Sequence, residues 1–388
     1  GDRWWTARRA SLPGGSLAVR KPFGRDALRG VRRWNRRIWH NRFLMNPLLP
    51  FNQRETFFVS LLYGRDDGLY SSCVESVICW FRQDLRLTDN PAWNRAVASG
   101  GGIIPLYCHA PGEAGGWAPG GASNWWLHHA LADLDAQLRQ LGLRLVLRQG
   151  GSSQELLESV LRESGAQAVF WNRCYEPWRR RIDGEIKERL RASGREAWSG
   201  NSALLREPWE VSTKQGRPYQ VFTPYSRACA EQPEREPETV EAQPTGPAKW
   251  PQSDSLSSLG LLPRVRWDAG FTRVWDPTRR GAWDRLQGFL GEGLDGYADS
   301  RNFPASDGTS RLSPYLHWGQ LGPREVAASL RRRRRGGGRD TYHRELVWRE
   351  FAYHVLYHFP DTPEEPLQRK FRAFPWSGDR RTLEAWQT

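Results

Sequence analysis

The sequence has little that would tie it to a membrane, a metal or an oxidising compartment. Spanning a bilayer takes about twenty consecutive apolar residues. No such run exists in a chain whose hydrophobic content is only 38%. The five cysteines, Cys73, Cys79, Cys108, Cys174 and Cys229, are odd in number and contain no CxxC pair. That argues against a zinc site or a disulfide framework and for a reducing, cytoplasmic setting. Methionine occurs once, at Met45. The glycine pair Gly150-Gly151 with Ser152-Ser153 lacks a P-loop lysine and the GxGxxG spacing, so it reads as a turn followed by a helix cap rather than a phosphate loop.

What is abundant is tryptophan, 21 residues in 388, and positive charge, 57 Lys+Arg against 43 Asp+Glu. Most of the tryptophans must be packing residues, so none supports a functional role without a motif around it. A net charge of +14 invites a nucleic-acid reading, but 14 basic and 5 acidic residues lie in positions 1–74 alone, and Arg331–Arg335 adds five more cations. Bulk charge therefore does not establish DNA binding. A local basic rim around one site could. Residues 1–74 mix Arg, Trp, Gly and Pro without periodicity and lack the charged start and apolar core of a targeting peptide. They are expected to be a disordered basic extension separate from the rest.

From Ser76 the pattern turns regular. Apolar runs at Val77–Trp80, Ile103–Tyr107, Leu143–Leu147 and Ala168–Trp171 alternate with helical stretches at Pro91–Ala98, Asn124–Leu141, Ser153–Ser164 and Pro177–Ala192. That alternation predicts an α/β domain over 75–230, a doubly wound parallel sheet covered on both faces. Arg82, Asp84, Arg86 and Asp89 follow the first strand and either line a ligand crevice at its carboxyl end or form a salt-bridge network. Residues 231–265, rich in Pro, Glu, Ser and Gln, read as a linker draped over the surface. Helical patterns at Arg280–Glu292, Pro314–Trp318, Pro323–Arg334 and Asp340–Phe359 then predict an all-α second domain over 266–388. Arg331–Arg335 reads as a solvated helix end. The α/β part is expected to close as a unit of its own.

Two stretches of the second domain hold the candidate chemistry. Gly308, Thr309, Ser310 and Arg311 precede Ser313-Pro314, which reads as a serine cap with proline in the first helical turn. Together they would make a cradle for a phosphate, or only a well-capped loop. In "TYHRELVWREFAYHVLYHF", Leu346, Val347, Phe351, Val355 and Leu356 form an apolar stripe, and Glu345 and Trp348 share another face. On spacing alone this is a core helix with a packed Trp348 and a surface Glu345–Arg349 pair.

These stretches, in order with "VICWFRQDLRLTDNPAW" from Val77, "FWNRCYEPWRRRID" from Phe170 and "YQVFTPY" from Tyr219, resemble the DNA photolyase/cryptochrome family, most closely its bacterial class I cyclobutane-dimer photolyases. The resemblance covers roughly Ser76 to Thr388. It implies an N-terminal Rossmann-like antenna domain and a C-terminal helical domain that binds FAD. By it, Tyr297, Thr309, Ser310, Arg311, Leu312, Ser313 and Tyr342 would contact FAD, with Thr309–Ser313 on its phosphates. Arg301, Glu345, Trp348, Arg349 and Ala352 would face DNA containing pyrimidine dimers. Glu345 would hydrogen-bond the lesion bases and Trp348 would stack on the flipped-out dimer. Excited, reduced FAD would donate an electron to the dimer and take it back after the ring splits. A folate or deazaflavin antenna is implied as a second chromophore, although Trp178-Arg179 stands where folate-binding relatives tend to have Asn-Glu. Trp376, in "FRAFPWSGD", matches the outermost tryptophan of the family's electron relay.

The motifs that carry the rest of that relay and the far wall of the flavin pocket are not found. The chain is therefore expected to be a fragment, inactive by itself and a poor holder of FAD, with apolar faces around Val347, Phe351 and Val355 left open. The expected assembly is a monomer without membrane contact. Repair is favoured by Glu345 and Trp348. A cryptochrome-type photoreceptor that binds FAD and signals is the alternative, and a basic nucleotide-binding protein without catalysis is the third.

Overall fold

The computed structural model describes residues 76–375 and 378–387. The expected basic extension over 1–74 and the relay tryptophan Trp376 lie outside these residues. The apolar, β-branched runs form a sheet: β1 (Ser76–Phe81), β2 (Gly102–His109), β3 (Val146–Gln149), β4 (Ala168–Asn172) and β5 (Glu196–Gly200). All pairings are parallel, in the order β3-β2-β1-β4-β5. Side chains alternate across a strand, so Val77, Cys79 and Phe81 enter one core and Ile78 and Trp80 the other. The edge strand β5 was not anticipated. Its sequence, Glu-Ala-Trp-Ser-Gly, has little strand character, and pairing with β4 over Ala168–Asn172 supplies what the sequence does not.

Four helices cover the sheet: α1 (Pro91–Ala98), α2 (Gly121–Gln140), α3 (Ser153–Ser164) and α4 (Pro177–Ala192). Local rules set their ends. Asn90 caps α1 by accepting the Trp93 N–H at 3.1 Å, with Pro91 in the first turn. Ser152 caps α3 through the Glu155 N–H at 3.2 Å, so the turn-and-cap reading of Gly150–Ser153 holds. Then come α5 (Phe222–Ala230) and a largely irregular run to residue 270. That run is tied to the sheet at defined points. The Ile103 N–H donates to the Thr245 carbonyl at 2.8 Å, and Gly102 sits so near Pro247 that an added Cβ would lie 2.6 Å from its Cα.

The remainder is helical: α6 (Phe271–Val274), α7 (Arg279–Gly288) running into a π-helical turn, α8 (Tyr297–Ser300), α9 (Ser313–His317), α10 (Pro323–Arg331), α11 (Gly337–His358) and α12 (Arg380–Gln387). The α/β part does not close its core alone. One buried cluster runs from Val77, Phe81 and Trp125 through Leu286, Tyr315 and Trp318 to Leu346. Polar bonds cross with it. The Trp126 indole donates to Gln320 at 2.7 Å, and the Leu85 N–H donates to the Trp318 carbonyl at 3.0 Å.

Of the four residues after β1, Arg86 and Asp89 are spent inside this seam and Asp84 is bonded within the α/β part. Asp84 accepts from Asn172 at 2.6 Å and from the Arg82 N–H at 2.6 Å. Arg86, fully buried, donates to the carbonyls of Gly319 (2.7 Å) and Asp89 (2.6 Å). Asp89 receives Arg324 at 2.9 Å and the Glu238 N–H at 3.0 Å. The salt-bridge reading therefore wins for Arg86 and Asp89 and also for Arg82, which pairs with Asp183, whereas Asp84 is held by hydrogen bonds. Arg331 likewise belongs to ion pairs with Glu234 and Glu236 rather than to a solvated helix end, while Arg332–Arg335 are exposed. Among the described residues no helix is long and apolar enough to cross a membrane, and no cluster of His, Cys, Asp and Glu could hold a metal.

Candidate functional site

The site is built around α11. Its buried stripe is Tyr342, Leu346, Val347, Glu350 and His354. The expected stripe shared only Leu346 and Val347 with it, since Phe351, Val355 and Leu356 are half-buried. Apolar periodicity missed the two polar members because their partners come from a distant segment. Glu350 accepts the N–H groups of Leu205 and Arg206 at 2.9 and 3.0 Å. His354 Nε2 accepts the Tyr219 N–H at 3.0 Å, which leaves its Nδ1 hydrogen for the Pro208 carbonyl at 3.1 Å. Burial and the neighbouring His358 push its pKa down to about 4, so the ring is neutral as this pattern requires. Val347, expected to be left open, is 3% exposed and packs with Val211, Tyr225 and Cys229.

Burial pushes the Glu350 carboxyl up to about 7, with Arg349, Arg206 and the two amides pulling the other way. Its folded pKa thus lies above its ordinary value of 4.5. The folded protein binds that proton more tightly, so the contribution to stability is complete below the ordinary value and is lost as pH rises through the folded one. Glu350→Gln retains an acceptor for the two amides. It is expected to flatten the fall of the urea midpoint between about pH 4.5 and 7. Parallel pH profiles for the two proteins would show that Glu350 is not the titrating group.

The exposed face of α11 carries the predicted recognition residues. Glu345 pairs with Arg301 at the end of α8, not with Arg349, and both partners are about 30% exposed. Arg349 instead donates to the Ala203 carbonyl at 2.6 Å and lies over Tyr353, which turns it away from the surface. Ala352 is exposed one turn beyond Trp348. Trp348 itself is 44% exposed, parallel to Phe222 on one side and edge-on to Phe351.

On the other side of Glu345 lies the loop read as a phosphate cradle. The structure brings Tyr297, Ser310, Leu312 and Tyr342 together. The Tyr342 hydroxyl donates to Ser310 Oγ at 2.9 Å, and the two tyrosine rings meet edge-to-face at 5.1 Å. Desolvation pushes both phenols up, so they stay protonated donors. Thr309 and Ser313 are exposed, and Arg311, paired with Asp307 at 2.9 Å, is half-buried. Ser313 is not the cap. Leu312 holds the N-cap position without a side-chain bond, and the Ser310 hydroxyl takes the Leu312 N–H at 3.4 Å. Because α9 has only five residues its dipole adds little. The cradle rests instead on the exposed Thr309 and Ser313 and on the guanidinium of Arg311, whose backbone takes a φ of 50°. These features fit the phosphates of a dinucleotide.

A second concavity, of about 840 Å³, opens at the carboxyl ends of β1 and β2, beside the point where strand order reverses. Of the four residues singled out after β1 only Arg82 lines it. Glu176, Trp178 and Arg179 line it from the segment after β4, and Trp117 from the loop after β2. Four buried atoms of its lining residues, Trp80 Nε1, Arg82 Nε, Arg179 Nε and Glu176 Oε2, have no protein partner. Three donors and one acceptor beside the aromatic rings of Trp80, Trp117 and Trp178 suit a planar heterocycle with a hydrogen-bonding edge. Sequence reasoning had the Glu176–Arg179 motif but not the Trp80 donor, which lies inside a strand read as core.

Residues 77–246 match the family model for DNA photolyase, and residues 342–388 match that for the FAD binding domain of DNA photolyase. The chain is 40% identical to a deoxyribodipyrimidine photo-lyase of Agrobacterium fabrum, over 80% of this chain and 65% of the relative. It is 33% identical to cryptochrome-1 of Arabidopsis thaliana, over 80% of this chain and 47% of the relative. A solved structure of a bacterial class III photolyase from Agrobacterium tumefaciens superposes with a TM-score of 0.75 at 38% identity, covering 83% of this chain and 66% of that one. The chain thus spans less than two thirds of the length of these relatives.

Proposed function

The chain belongs to the DNA photolyase/cryptochrome family, and on that premise we propose that it serves the light-driven repair of cyclobutane pyrimidine dimers in DNA. The observation that carries this reading is Trp348. A large indole left 44% exposed, with its ring stacked from one side only, is a platform for a base. Beside it, Glu345 offers a carboxylate to the polar edge of that base, held in place by Arg301. Arg301 and Ala352 border the same surface. Arg349 is committed to Ala203 and takes no part in it. A dimer suits such a platform because its weakened pairing lowers the cost of extrusion.

Thr309, Ser310, Arg311 and Ser313 would hold the phosphates of FAD, with Tyr297, Leu312 and Tyr342 shaping the wall behind them. When bound, FAD supplies the light-driven electron transfer. The chain's own residues orient the dimer and keep water from it. Trp376 is assigned to an electron relay by resemblance alone. Within the family, the likeness to the Agrobacterium class III structure supports a class III assignment over the class I one suggested by the motifs. The cavity beside Glu176 and Trp80 would house a folate or deazaflavin antenna.

Similarity to cryptochrome-1 supports a second reading, flavin-based light sensing without repair. One experiment separates the two. The chain is given reduced FAD and a dimer-containing oligonucleotide and is illuminated with blue light beside a dark control. Loss of the dimer in the light alone would support repair. Light-dependent flavin chemistry with the dimer intact would favour the photoreceptor, and no light response at all would match the expectation that the chain is inactive by itself.

A further inference from the structure

We propose that Phe222 is a positioning residue for lesion recognition, holding the Trp348 indole so that its outer face is presented to a base. This rests on the base-stacking reading above. Phe222 opens α5, far from Trp348 in sequence, yet the two rings lie parallel with centroids 3.5 Å apart and 6° between their planes. Phe222 therefore takes the place on the inner face of the indole that a base would take on the outer one.

Phe222 is itself held. Three and seven residues further along α5, Tyr225 and Cys229 are buried against Val347 of α11. Phe351 meets Phe222 edge-to-face at 5.9 Å and Tyr225 at 5.2 Å. These contacts form a small cluster apart from the two main cores. A half-exposed tryptophan on a helix otherwise samples several rotamers, and binding must then freeze it. The Phe222 ring removes that cost beforehand by leaving one stacked orientation.

The test measures affinity of the 388-residue chain for a duplex with one cyclobutane dimer and for the same duplex undamaged. The variants are Phe222→Ala, Phe222→Leu, Phe222→Tyr, Trp348→Ala and the double Phe222→Ala/Trp348→Ala. Thermal melts accompany each. Phe222→Ala is expected to lower the preference for the dimer roughly three- to tenfold, the scale of one side chain's ordering. Undamaged-duplex affinity should be unchanged, and Phe222→Tyr, which keeps the flat ring, should retain the preference. Phe222→Leu keeps apolar volume without a flat face and stands in if the alanine variant does not fold. In the Trp348→Ala background the Phe222 change should add nothing, because it acts through the indole. Additive losses, or an unchanged preference in Phe222→Ala and Phe222→Leu, would overturn the proposal while leaving base stacking intact. A parent chain without dimer preference, or a neutral Trp348→Ala, would overturn both.

Discussion

Trp348→Ala is expected to cut affinity for dimer-containing DNA by roughly ten- to a hundredfold, the equivalent of the ~1–3 kcal/mol that one base–aromatic stack contributes. The effect should be confined to the lesion. No cation is removed, so the undamaged duplex should bind as before and the dependence of binding on salt should keep its slope. Stability should change little, because the indole is 44% exposed and lies outside the main core, where truncation would open no sealed cavity. Equilibrium binding at two salt concentrations, with a melt of each protein, separates these quantities. An equal loss on damaged and undamaged DNA would mean that Trp348 supports the fold and does not read the lesion.

Asp89→Ala is expected to be the most destabilising of the changes considered, by about 3–5 kcal/mol, the usual loss when one partner of a buried ion pair is removed. Asp89 is 1% exposed and binds three parts of the chain at once. Arg86 reaches it from the loop after β1, Arg324 from α10 at 2.9 Å, and the Glu238 N–H from the irregular run. Removing its charge leaves Arg86 and Arg324 buried with less compensation, although Glu238 still pairs with Arg324 at 2.7 Å. Space is equally tight. A Cβ added at Gly322 would lie 2.5 Å from Asp89 Oδ2 and 2.9 Å from an Arg86 nitrogen, so Gly322→Ala should share the defect. Asp89→Asn, which keeps the shape and tolerates the residue's φ of 49°, should lose less. Chemical denaturation of the three variants checks the order. A near-native midpoint for Asp89→Ala would mean that the two halves are held by their shared apolar cluster alone.

How much of this was legible beforehand depends on the reach of the rule applied. The bounds of α1, α3 and α4 could be read to the residue, because proline, capping serine or asparagine and terminal glycine act within one turn of chain. The parallel sheet followed from strand–helix alternation for the same reason. The pairing of Tyr342 with the Ser310 loop came from motif order, and the structure adds the 2.9 Å bond between them. Glu345 was on the right face of its helix, but helical spacing offered Arg349 as its partner, where the fold supplies Arg301 from α8.

The sequence by itself thus determined the type of the longer elements, the ends of α1, α3 and α4, the family-bearing motifs and the face of α11 on which Glu345 and Trp348 stand. Periodicity and capping are properties of residues a few places apart, and those neighbours are written in the chain. Only the tertiary structure decided which surfaces meet. It buried Glu350 and His354 by giving them amides and a carbonyl from residues 205–219, put Phe222 under Trp348, made a strand of Glu196–Gly200, and left Trp80 and Glu176 facing one cavity. A contact between distant segments depends on every element packed between them, so no local pattern encodes it. The polar stripe of α11 looks wrong in isolation and becomes favourable only once the opposite backbone is in place to satisfy it.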